Sequence, residues 1–90
     1  MKKQVLAFGI NDVDAVKCML YAQSKVRGKQ TIVTTSSKEL VEEMASKGLI
    51  AKAYVFANPT FSKEMFECFE ILTQLASNGI KSDMIKDKRF

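Results

Sequence analysis

Apolar residues in this chain fall into short continuous runs, each followed by a longer stretch at helical spacing, and the alternation occurs three times. Residues 4–10 (QVLAFGI) are nearly all apolar, the pattern of a strand buried on both faces. Asn11 then supplies an N-cap, and Asp12 and Asp14 place negative charge in the first turn, where the helix dipole favours it. A helix is predicted over residues 12–27, with Gly28 as its C′ glycine. Its bulky apolar residues Val13, Val16, Met19, Leu20 and Val26 share a stripe predicted to face the sheet. Gln23 falls inside that stripe and, if buried, needs hydrogen-bond partners.

The second unit repeats this grammar. Residues 30–35, β-branched from Thr31 on, predict a strand. Ser36-Ser37-Lys38-Glu39 reads as a capping box with Ser36 as cap, and Leu40, Val41, Met44 and Ala45 form the buried stripe of a helix ending at Gly48. In the third unit, residues 53–57 predict a strand and Asn58-Pro59-Thr60 a turn. A helix over 60–77 follows, with Phe61, Met65, Cys68, Phe69, Leu72, Leu75 and Ala76 on one broad face. Phe66 lies outside that face, beside Glu70 and Thr73.

Three strand-helix units with short connections predict an α/β fold with a parallel sheet in order 2-1-3 and right-handed crossovers. The third strand is then an edge, yet it is apolar on both faces, and such edges invite pairing. Either the tail, residues 81–90, covers it as a short fourth strand, or a second copy of the chain does.

With 90 residues, the chain is expected to form one domain, 1–90. A core of that size leaves only ~3–5 kcal/mol of stability, which favours self-association. The residues after Met1-Lys2-Lys3 do not form a secretory leader, and no run approaches the ~20 apolar residues of a membrane span, so a cytoplasmic location without membrane contact is expected. Cys18 and Cys68 stand alone and histidine is absent. Zinc ligation and histidine-dependent nucleophilic catalysis therefore lack their groups, and no cofactor motif is present. A non-enzymatic role is the expectation.

Charge is uneven along the chain. Residues 1–36 hold six basic and two acidic side chains, 37–79 four and six, and 80–90 four and two, so the two ends are basic. Three surfaces follow from the predicted topology. Ligands of open parallel sheets bind beyond the carboxyl ends of the strands, which here means Asn11, Thr35, Ser36, Ser37, Asn58 and Thr60. Lys2, Lys3, Lys29 and Lys81 belong to the opposite edge and, joined by Lys86, Lys88 and Arg89 of the tail, form a candidate grip on nucleic-acid phosphates. Two oligomer interfaces are possible: packing through Lys17, Cys18, Tyr21 and Lys25 on the outer side of the first helix, or sheet extension through the third strand with Tyr54 and Phe56. Basic Lys17 and Lys25 face a need on the second helix, where Glu39 and Glu43 repel each other. The sequence thus points to a binding or regulatory module, a small homo-oligomer engaging RNA through its backbone or a partner protein. The alternative is a small-ligand or nucleotide-binding protein that uses the carboxyl-edge loops.

Overall fold

The computed structural model describes residues 3–26, 28, 30–57 and 62–86. Its elements are β1 (Gln4–Gly9), α1 (Asp12–Lys25), β2 (Ile32–Thr35), α2 (Lys38–Ser46), β3 (Ile50–Ala57), α3 (Ser62–Ser77) and β4 (Ser82–Lys86). All strand pairs are parallel, in the order β2-β1-β3-β4. The predicted 2-1-3 core is present, and the tail adds the fourth strand beside β3. β3 therefore has a neighbour on each side, which removes sheet extension through β3 as an interface and answers why both its faces are apolar.

Alternation along the strands divides the core. Leu6, Phe8, Ala53 and Val55 face α2 and α3, where they pack with Val41, Met44, Ala45, Cys68, Ile71 and Leu75. Val5, Ala7, Tyr54 and Phe56 face α1 and meet Cys18 and Ala22. One face thus carries two helices and the other only α1. Among the described residues no helix is long and apolar enough to cross a membrane.

The helix ends follow local chemistry. Asn11 caps α1 by accepting from the Asp14 backbone N–H at 2.9 Å. The cap of α2 is Ser37, one residue later than predicted, because its hydroxyl accepts from the Leu40 N–H while Ser36 turns away toward α1. Gly48 and Gly79 take positive φ after α2 and α3. The bonds Leu49 N–H to Met44 C=O and Ile80 N–H to Leu75 C=O close both ends as Schellman motifs. Gly28 also has positive φ but is not a C′ residue: α1 stops at Lys25 because Val26 turns extended to pack against the α1-side core.

The largest departure is the phase of α1. Its buried residues are Asp14, Ala15, Cys18 and Ala22, whereas Val13 is 65 %, Val16 47 % and Leu20 57 % exposed. Gln23 is exposed as well, so no buried glutamine needs partners. The cause is a close approach. A Cβ on Gly9 would overlap the backbone of Asp14 and Ala15, so the first turn of α1 rests directly on the end of β1. The bulk on this side of the core comes from Tyr54 and Phe56 of the sheet, and only small helix residues fit beneath. In α3, Cys68, Ile71 and Leu75 are buried as the core seam, and Phe69, predicted to be buried, is 48 % exposed.

The Gly9 contact makes a graded test. Gly9→Ala is expected to lower the unfolding free energy by about 2–3 kcal/mol, because backbone rather than a flexible side chain meets the new methyl. Gly48→Ala meets open space and only the positive-φ penalty, about 1 kcal/mol. Urea denaturation giving equal losses for the two would show that α1 does not rest on Gly9.

Candidate functional site

The carboxyl edge of the sheet does gather Asn11, Thr35, Ser36 and Ser37; Asn58 and Thr60 lie outside the described residues. The polar groups here serve one another. Ser36 Oγ donates to Asp12 Oδ1 at 3.0 Å, tying the end of β2 to the start of α1. Thr35 Oγ1 accepts from the Ser37 N–H at 2.9 Å, and Ser37 Oγ accepts from Leu40 N–H and donates to Glu39 Oε2, both at 3.2 Å. Asn11 holds Asp14, whose carboxylate is buried beside it. The Asp12 and Asp14 carboxylates repel a bound anion at this edge. Among the described residues no group of three metal-ligating side chains occurs.

At the amino edge, Lys3 and Lys81 are exposed just before β1 and β4. Lys2, Lys29, Lys88 and Arg89 lie outside the described residues. Because β4 runs parallel to β3, Lys86 ends at the carboxyl edge, and the structure does not bring it together with Lys3 and Lys81. Lys52, near this edge, is engaged by Asp83 at 3.1 Å, which holds its ammonium above the ordinary lysine range. A shallow cavity of about 290 Å³ opens between α1 and β2, lined by Met19, Gln23, Val26, Gly28, Gln30 and Ile32. No local sequence pattern indicates it. It lies at the small end of ligand-pocket sizes, and among the described residues that line it none is charged.

The α1 face is where predicted residues converge. Tyr21 meets Tyr54 edge-on with ring centroids 5.9 Å apart. Lys17 lies over Phe56 at 5.9 Å, Lys25 over Tyr21 at 5.5 Å and Lys52 over Tyr54 at 5.5 Å. Five of the predicted interface residues therefore form one lysine-aromatic cluster along the β3 side of α1. Its members contribute unequally to the surface: Tyr54 and Phe56 are each 6 % exposed, whereas Tyr21 is 39 % exposed. Cys18 does not belong to this surface. It is buried, and its thiol donates to the Tyr54 carbonyl at 3.2 Å. The expected outward Cys18 is corrected by the rotation of α1, which turns Val13, Val16 and Leu20 outward instead. The signal for that rotation was present: Ala15, Cys18 and Ala22 form a small-residue stripe at i, i+3, i+7 directly after Gly9, and Gln23 sat among the supposed core positions.

The Glu39–Glu43 repulsion on α2 is relieved within the helix itself. Lys47 bonds Glu43 at 2.8 Å and holds its carboxyl below the usual range, and Lys38 pairs with Glu67 of α3 at 3.2 Å.

Burial pushes the Cys18 thiol up to about 12. A thiol raised above its unfolded value favours the folded state at low pH, and that contribution is full below about 9 and is lost as pH rises toward about 12. Stability is therefore expected to fall above pH 9 more steeply in the wild type than in Cys18→Ala. The difference in slope is at most about 1.4 kcal/mol per pH unit. Denaturation series at pH 8 to 11 with parallel slopes would show that the thiol is not protected.

No protein-family model, curated protein or solved structure matches this chain.

Proposed function

We propose that this protein is a non-enzymatic protein-binding module that works as a homo-oligomer, with the outward face of α1 as its contact surface and a second copy of α1 as the occupant. The observation that carries this is a helix apolar on two opposite faces: Ala15, Cys18 and Ala22 on the sheet, Val13, Val16 and Leu20 toward solvent. With one apolar face on the sheet, the other is left for a partner. The outward residues recur at i, i+3, i+7, the spacing of a helix-packing seam. Antiparallel packing about a two-fold axis opposes the two helix dipoles.

Burying the half-exposed valines and leucine contributes roughly 1 kcal/mol each, about 6 kcal/mol over two copies. The α1 contact on its own is accordingly weak and reversible, as suits a regulatory partner surface. RNA binding draws less support, since Lys52 is paired with Asp83 and Lys86 ends at the opposite sheet edge from Lys3 and Lys81.

Val16→Glu with Leu20→Glu is expected to reduce the assembly size by a factor of two in sedimentation velocity at tens of micromolar. The urea midpoint should hold, because these side chains belong to neither core cluster. Unchanged sedimentation in this variant would refute the α1 contact, as would a wild-type monomer at high micromolar concentration.

A further inference from the structure

A second surface, separate from α1, lies at the opposite side of the molecule. We infer that the outer edge of β4 and the adjoining flank of α3 form a two-fold contact with a second copy, in which the two β4 strands pair antiparallel into one continuous sheet. Among the described residues nothing pairs with the outer edge of β4. The Ala53 N–H donates to the Lys81 carbonyl, so by the alternation of a strand the amides of Asp83 and Ile85 face β3. The amides and carbonyls of Ser82, Met84 and Lys86 face away, as a row of unmet backbone groups. β4 is in register with β3 along its whole length, without the bulge or proline that blunts many edges.

The helix above that edge carries the matching side chains. Glu67 reaches Lys38 and so marks the flank of α3 that faces α2. The opposite flank, by helical spacing, holds Met65, Phe69, Leu72 and Ala76 and contains no charged residue. Phe69 is 48 % exposed there and Phe66, on the outer surface next to it, 70 %.

A second copy is the occupant that satisfies both features with one operation. A two-fold axis normal to the sheet and passing by Met84 pairs β4 with β4 and keeps α3 and its copy on the same face, flank against flank. A foreign strand would meet the edge and leave Phe66 and Phe69 in water. The helix is about 24 Å long and the strand about 17 Å, so edge and flank together bury on the order of 500–600 Å² per copy. Over two copies that is about 1,000–1,200 Å², at the roughly 1,000 Å² a specific interface needs, which the edge alone would not reach.

Amide hydrogen exchange by NMR separates this contact from the α1 contact. In the wild-type oligomer the Met84 amide should exchange at least a hundredfold more slowly than in Phe66→Glu with Phe69→Glu. The Asp83 and Ile85 amides, bonded to β3, should stay protected in both and report that the fold is intact. Val16→Glu with Leu20→Glu should leave Met84 protection unchanged. Should the double Phe variant fail to fold, Phe66→Ser alone gives the same comparison at a residue outside both core clusters. Free exchange of the Met84 amide in an oligomeric wild type would overturn the proposal. So would its protection in a monomer, which would mean that the chain covers its own edge, and so would protection found only with a co-purifying foreign protein.

Discussion

The approach of α1 to β1 at Gly9 sets what the rest of the molecule can do. With helix backbone seated on strand backbone, there is no room between them for leucine or valine. The interlayer is filled instead by Ala15, Cys18 and Ala22 from the helix and by Tyr54 and Phe56 from the sheet. The helix must then turn its larger apolar residues outward, and the single close contact produces both a tight inner layer and an apolar exterior. The thiol of Cys18 belongs to the same economy of space: it fills the interlayer and satisfies itself on a carbonyl of β3. Glycine at this point is a steric requirement, since φ is not positive there.

Much of the fold could be read along the chain, and what could not has a common cause. The strands were legible because continuous apolar runs of five or six residues fit only a sheet covered on both faces. The helix starts were legible from Asn11 and the Ser36-Ser37 pair, although two adjacent serines left the cap ambiguous by one residue. The orientation of α1 was not legible from side-chain size, because ranking residues by bulk puts Val13, Val16 and Leu20 in the core, and bulk is decided by what the facing layer already contains. The same reasoning applies to Phe69 of α3, where the core seam is Cys68, Ile71 and Leu75. The lysine-aromatic cluster was legible in its membership but not in its geometry, since Tyr54 and Phe56 come from a strand whose neighbours depend on the tail. The cavity beside β2 depends on how the α1–β2 connection turns, which no local pattern encodes.

The two sides of the sheet also differ in how they are closed. α2 and α3 cover one side together, bridged by Lys38 and Glu67, and both end in a Schellman motif whose following apolar residue, Leu49 or Ile80, packs back on the core. α1 covers the other side alone and ends in an extended valine. The side with one helix leaves apolar surface along the top of α1, and on the side with two the exposed large apolar side chains among the described residues are Phe66 and Phe69 of α3.

The order of pairing in the sheet has a consequence for the chain as it is made. β1 is the innermost early strand, but its partner on one flank is β3, and Val5 pairs with Lys52. At synthesis rates of about 5–20 residues per second, roughly 2–10 s separate those two positions. During that interval β1 gains at most β2 beside it, and Leu6 and Phe8, which the finished fold buries completely, lack α3, one of the two helices that cover them. The nascent protein thus passes through a stage in which its most apolar strand has one open flank and one open face. The arrival of residues 50–57 at the tunnel exit closes the open flank, and α3 then completes the cover of the open face.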